Sequence, residues 1–194
     1  MRQPLFIVLF VSLFLVGCAG SSNMMQDVPA DRSTYAPEPG HALLVFMRPS
    51  GLGFAIQSVV FDATADEPKM IGIVSAKTKI AYQAEPGEHR FMVVSESADF
   101  MDATLLEGNT YYALVTPRMG VWRARFSLQP VPKAEIGSEQ FNEWIESSRW
   151  VENTGKSSDW ARENMPSVKE KQAENITEWL NKPNKPILYP QDGS

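Results

Sequence analysis

Between His41 and Gln129 the chain falls into short runs rich in Val, Ile, Leu, Phe and Tyr, each bounded by Gly, Pro, Asp or Asn. Runs of that length and composition predict strands, here at 42–48, 54–62, 69–74, 79–83, 89–95, 101–106, 110–116 and 121–129. The last is the most regular, because Trp122, Ala124, Phe126 and Leu128 alternate with Arg123, Arg125, Ser127 and Gln129. One of its faces is expected in a core and the other in water. Turn residues support the divisions: Pro49-Ser50-Gly51-Leu52-Gly53 separates the first two strands and Pro86-Gly87 precedes His89. Gly108-Asn109 is expected to close a tight hairpin over 101–116, since both residues tolerate the positive φ of a primed turn. This spacing predicts an antiparallel β-sandwich, immunoglobulin-like or related, over 41–132.

After Pro132 the period changes. Ser138 is placed to cap a helix carrying Phe141, Trp144, Ile145 and Ser148 on one face, with Gly155 ending it. A short helical piece is expected at 159–164, and Pro166 either stops it or opens the next helix. There Val168, Gln172, Ile176, Trp179 and Leu180 form a narrow apolar stripe. The expected organisation is a helical extension over 133–182 and an extended, proline-bearing tail over 183–194. Trp144, Trp150, Trp160 and Trp179 all fall in this region. They are expected to pack on the sandwich, or to form a surface for a partner.

The N-terminus has a different pattern. Arg2 precedes an apolar run from Leu5 to Val16 broken only by Ser12, the layout of an export signal over residues 1–17. The run is well short of the roughly twenty residues that span a bilayer as a helix. It ends in Leu15-Val16-Gly17-Cys18, which resembles the lipobox of bacterial lipoproteins. That resemblance implies diacylglycerol on the Cys18 sulfur and a further acyl chain on its new amine. More than one chain is what stable anchoring requires. Ala19, in a position where Asp retains enteric lipoproteins in the inner membrane, resembles the class sorted to the outer membrane, facing the periplasm. Residues 18–40 hold several prolines and few apolar residues and read as a lipidated N-terminus plus flexible linker. A flexible chain over 19–39 would span roughly 25 Å.

Cys18 is the only cysteine, so no intramolecular disulfide is available to an exported domain. The net charge of −5 argues against a nucleic-acid partner.

Three pieces of the β-region, Ala42-Leu43-Leu44-Val45-Phe46-Met47-Arg48-Pro49, Pro86-Gly87-Glu88-His89 and Glu107-Gly108-Asn109-Thr110-Tyr111-Tyr112, resemble in order and spacing a family of unknown function found in bacterial lipoproteins. The Pro-Gly-Glu-His turn is also similar to one in PEGA-type envelope domains. The resemblance implies a β-sandwich and no established activity.

Candidate chemistry is sparse. His41 and His89 are the two histidines, and neither has a Cys, Asp or Glu at metal-ligand spacing, so Glu88 and His89 read as a solvated turn pair and no metal or other cofactor is expected. Nucleophile elbows, phosphate loops and zinc-protease motifs do not occur in the sequence. Glu96, Asp99 and Asp102 read as a polar connector, or as the paired carboxylates of a cell-wall-directed hydrolase. Arg118, Arg123 and Arg125 are the candidate partner-binding residues, since the alternation puts Arg123 and Arg125 on one wet face suited to lipid headgroups or an acidic protein patch. The expected function is a lipid-anchored, non-catalytic binding or structural module of the envelope, with its membrane contact through Cys18. The alternatives are a hydrolase of glycan or peptide, and a subunit docking into an envelope or secretion assembly through its C-terminal helices.

Overall fold

The computed structural model describes residues 24–33, 35–118 and 125–194; the expected export signal, Cys18, Trp122 and Arg123 lie outside the described residues. In chain order the strands are β1 (Met25–Asp27), β2 (Ala42–Arg48), β3 (Val59–Asp62), β4 (Lys69–Ile73), β5 (Thr78–Ala84), β6 (Gly87–Val94), β7 (Ala98–Leu105), β8 (Thr110–Arg118) and β9 (Arg125–Pro130). Helix α1 (Glu139–Glu146), strand β10 (Arg149–Asn153), helix α2 (Gly155–Leu180) and strand β11 (Ile187–Leu188) follow. The strands form two sheets, one ordered β1-β10-β5-β2-β8-β9 and the other β11-β7-β6-β3-β4.

The alternation along each strand builds the core. Leu44 and Phe46 of β2, Val60 of β3, Phe91 and Val93 of β6, Met101 and Leu105 of β7, and Tyr111 and Val115 of β8 share one buried cluster, so both sheets contribute to it. On the other parity of the second sheet, Val59, Phe61, Met92, Val94 and Phe100 form another cluster with Val168 and Trp179 of α2. Helix α1 buries Phe141 against Met47 and Val131, with Trp144 and Ile145 beside it. The C-terminal helices therefore cover sheet faces.

The sheets are mixed, which corrects the antiparallel expectation: β2 pairs with β8, β10 with β5, and β11 with β7, all in parallel. The hairpin expected over 101–116 is also corrected. Strand β7 lies in one sheet and β8 in the other. Gly108 does take a positive φ of 75°. Its N–H, however, donates to the His41 carbonyl at 2.9 Å and the Asn109 carbonyl accepts from Leu43 at 3.0 Å, so this turn crosses between sheets and is held by the start of β2. The hairpin that forms nearby is β6 with β7, paired from Gly87↔Leu105 to Val94↔Ala98.

Three further expectations change. Residues 25–27 of the supposed linker form β1, which pairs with β10 in register Gln26↔Glu152, and the Tyr35 ring lies 4.5 Å from that of Trp150. From Met24 the expected linker is thus part of the fold, apart from Thr34, which lies outside the described residues. Gly155 begins α2, and this helix runs through Pro166 as one element. Pro inside a helix costs about 3 kcal/mol, which burial of Ala161, Val168 and Trp179 outweighs. The tail is built in as well: β11 adds to β7, and Ser194 and Thr110 exchange backbone hydrogen bonds of 2.9 and 3.0 Å. A Cβ on Gly193 would meet Tyr111 Cζ at 2.8 Å, so only glycine fits this approach.

The α1 prediction agrees with the structure. Ser138 Oγ accepts from the Phe141 N–H at 3.1 Å, as an N-cap should. At the other end Lys79 Nζ donates to the carbonyls of Ile145 and Ser148 at 2.5 and 2.6 Å, where a helix end presents unpaired oxygens.

Candidate functional site

Arg118 and Arg125 are direct cross-strand partners on β8 and β9, while Arg123, expected to share a face with Arg125, lies outside the described residues. What the sequence did not show is the acid they surround. Asp99 of β7 is 8% exposed, and its Oδ2 accepts from Arg118 Nη2 at 2.8 Å and from Ser127 Oγ at 2.6 Å. Its Oδ1 accepts from Lys182 Nζ at 2.7 Å, just beyond α2. One carboxylate thus holds two cations, leaving one positive charge in excess. Arg125, Asn175, Glu178 and Trp179 complete a cleft of about 40 Å³. That is room for a few waters or a small anion, far below the size of organic-ligand sites.

The second cluster surrounds His89, whose side chain is 10% exposed, so the solvated turn pair expected from the sequence is corrected. His89 Nδ1 donates to Asp62 Oδ2 at 3.0 Å and Nε2 donates to the Glu85 carbonyl at 2.7 Å. Both partners are acceptors, so the site favours the doubly protonated ring. Tyr82 Oη and the Thr64 N–H also donate to Asp62, each at 3.0 Å. Burial alone would push the Asp62 carboxyl up. The hydrogen bonds from His89 and Thr64 and the His89 charge outweigh it and hold Asp62 at about 2. Burial likewise lowers His89, and the bonds to Asp62 and Glu85 with the nearby carboxylates raise it above its usual 6.5. A histidine with both nitrogens bound to acceptors has no free lone pair for general-base work.

The sign of the pH dependence follows. The raised histidine contributes stability fully below pH 6.5 and loses it as pH rises through its folded value. The lowered carboxylate contributes above its usual 3.8 and loses it as pH falls through about 2, an effect of about 2 kcal/mol. In urea titrations the wild-type midpoint is expected to be highest between about pH 4 and 6.5 and to fall on the alkaline side, whereas His89→Gln flattens that fall. An unchanged alkaline slope in His89→Gln would contradict the ion pair.

The other candidate carboxylates do not assemble with Asp99. Asp99 and Asp102 are three residues apart on β7 and so point to opposite faces. Asp102 is gripped by Arg90 through Nε at 2.8 Å and Nη2 at 3.3 Å. Asp102 and His89 do share the rim of an open depression of about 390 Å³. Glu96 lines a separate cleft against α2. Asp99 and Asp102 are strand residues, so the polar connector expected there is corrected.

No family model and no curated protein matches this chain.

Sequence reading missed Asp62, Tyr82 and Arg48. The available signal was a charged residue at the end of an apolar run, Asp62 after Val59-Val60-Phe61 and Arg48 after Phe46-Met47. Among the described residues no group of three or more His, Cys, Asp and Glu side chains is arranged to hold a metal ion.

Proposed function

We propose that this chain is a lipid-anchored protein of the cell envelope, attached through Cys18 to the outer membrane and facing the periplasm, whose folded part is a non-catalytic β-sandwich used as a binding or structural module. The observation that carries this is the apolar run from Leu5 to Val16 ending in Leu15-Val16-Gly17-Cys18. The sandwich reading is supported by one buried cluster fed by both sheets. The non-catalytic reading is supported by how the titratable groups are engaged: His89 has acceptors on both nitrogens, Asp99 holds two cations, and Asp102 is paired with Arg90.

The competing hydrolase reading draws on the depression shared by His89 and Asp102. It would need the Arg90 pair to open and His89 to give up the Glu85 carbonyl. Docking into an assembly through the C-terminal helices is the weaker reading, because Phe141, Val168 and Trp179 already face the sheets.

Cys18→Ala is expected to move the protein from the membrane fraction to the soluble fraction of the cell, read by fractionation and blotting. Labelled fatty acid should enter the wild type and not the variant. An unchanged membrane partition together with absent labelling of the wild type would overturn the anchoring.

A further inference from the structure

The segment between β2 and β3 carries a side chain that folding left outside. Phe54 is 80% exposed and Leu52 53%, the two highest values among the large apolar side chains of the described residues. Their exposure is not that of a loosely held loop. Arg48 is 0% exposed, and its Nη1 donates to the Ile56 carbonyl at 2.8 Å while Nη2 donates to those of Leu52 and Gly53 at 2.8 and 2.7 Å. The Ile56 N–H closes a turn onto the Gly53 carbonyl at 2.9 Å. A buried guanidinium thus fixes the backbone from within and holds Leu52 and Phe54 outward.

Two neighbours say what such a tip meets. The first is charge. The Arg48 guanidinium sits 4.4 Å from the centroid of the Phe126 ring, and a Cβ on Gly53 would lie 4.0 Å from Phe126 Cζ. Phe126 is also in the wall of the cleft that Arg118, Arg125 and Lys182 form with Asp99 and Glu178, where the cations outnumber the carboxylates by one. The apolar tip and the surplus basic charge are therefore joined through one residue. The second is the route to the N-terminus. Met24 packs in the cluster that contains Trp160, and Trp160 shares a cleft with Ile56 at the end of the segment. Only five residues lie between Cys18 and Met24, so whatever their path the two are at most about 20 Å apart.

We propose that the segment 50–56 is a membrane-contact element, in which Phe54 and Leu52 enter the boundary between headgroups and acyl chains of an anionic bilayer while Arg118, Arg125 and Lys182 face lipid phosphates. Aromatic and aliphatic tips beside basic residues are how peripheral proteins hold such surfaces. The argument from chain reach rests on the anchoring reading; the apolar tip and the charge do not.

The test places an environment-sensitive dye at residue 54, using the full chain with Cys18→Ser and Phe54→Cys, mixed with vesicles of phosphatidylglycerol or of phosphatidylcholine. The expected result is a blue shift and quenching by doxyl-labelled lipid on phosphatidylglycerol, with partition about tenfold weaker on phosphatidylcholine, at high salt, or with Arg125→Glu added. The same dye at Glu67→Cys, beyond the far end of β3, should stay in water. A dye at residue 54 that remains in water on phosphatidylglycerol overturns the proposal, as does equal insertion into both lipids. A concentration-dependent blue shift without vesicles also overturns it, by showing a second copy as the occupant. Anchoring is scored apart: wild-type chain that stays in the membrane fraction while the dye stays in water removes the contact element alone.

Discussion

A chain ending at Lys133 is expected to lose its cooperative unfolding transition. The removed part buries Phe141, Val151, Val168, Trp179 and Leu188, each at 6% exposure or less. At about 2 kcal/mol for each such side chain, the loss is roughly 10 kcal/mol, comparable to the whole stability of a typical domain. The cost does not stop there, because Val59, Phe61, Met92, Val94 and Phe100 would lose the cover of α2 and present an apolar sheet face to water. Strand β5 would lose its neighbour β10, and β7 its neighbour β11, leaving two open edges. Urea titration followed by circular dichroism checks this. A sigmoidal transition with a denaturant slope in proportion to the shorter chain would instead mean that the sheets stand alone, and that the C-terminal region is available to a partner.

Arg48→Met is expected to be the most damaging single substitution among the polar residues, at about 3 kcal/mol and roughly 10 °C in melting temperature. Met keeps an apolar stem but removes the guanidinium from over the Phe126 ring and leaves the carbonyls of Leu52, Gly53 and Ile56 without their donor. Those groups lie under an exposed segment, so water recovers part of the loss and the expected cost stays below that of stranding a fully buried charge. Arg48→Lys should recover only a fraction, because one ammonium cannot reproduce a planar fork spread over three acceptors. Thermal melts of the three proteins give the order wild type, Lys, Met. Equal melting temperatures would mean that the segment, not the guanidinium, fixes its own conformation.

What was legible in the chain was local. Apolar runs bounded by turn residues located strands from β2 to β9, although the run expected at 54–62 enters its strand only at Val59, and Ser138 with Phe141, Trp144 and Ile145 located α1, because each pattern is contained within its own element. What was illegible depended on distant pairing. Gly108-Asn109 signals a turn, yet nothing local says that the turn crosses from one sheet to the other instead of closing a hairpin. Met25-Gln26-Asp27 is too short to show a period, and the prolines that follow it, Pro29, Pro37 and Pro39, suit a linker as well as they suit extended chain laid along an edge. The same holds for the sites. Arg118 and Arg125 become neighbours only because β8 and β9 pair, and Asp99 reaches Arg118 from another sheet. His89 lies 27 residues from Asp62 and meets it only because β3 and β6 pair with Asp62 opposite Phe91, two positions along the same face.

The pairing of β1 with β10 sets an order of events in time. Gln26 and Glu152 are 126 residues apart, and their side chains bond at 2.8 Å. Strand β1, the first among the described residues, therefore has no partner until residues 151–153 are in place, and closing so long a loop is slow. Until that moment β1 stays unpaired, and only then do Met25 and Asn153, and Asp27 and Val151, come into register.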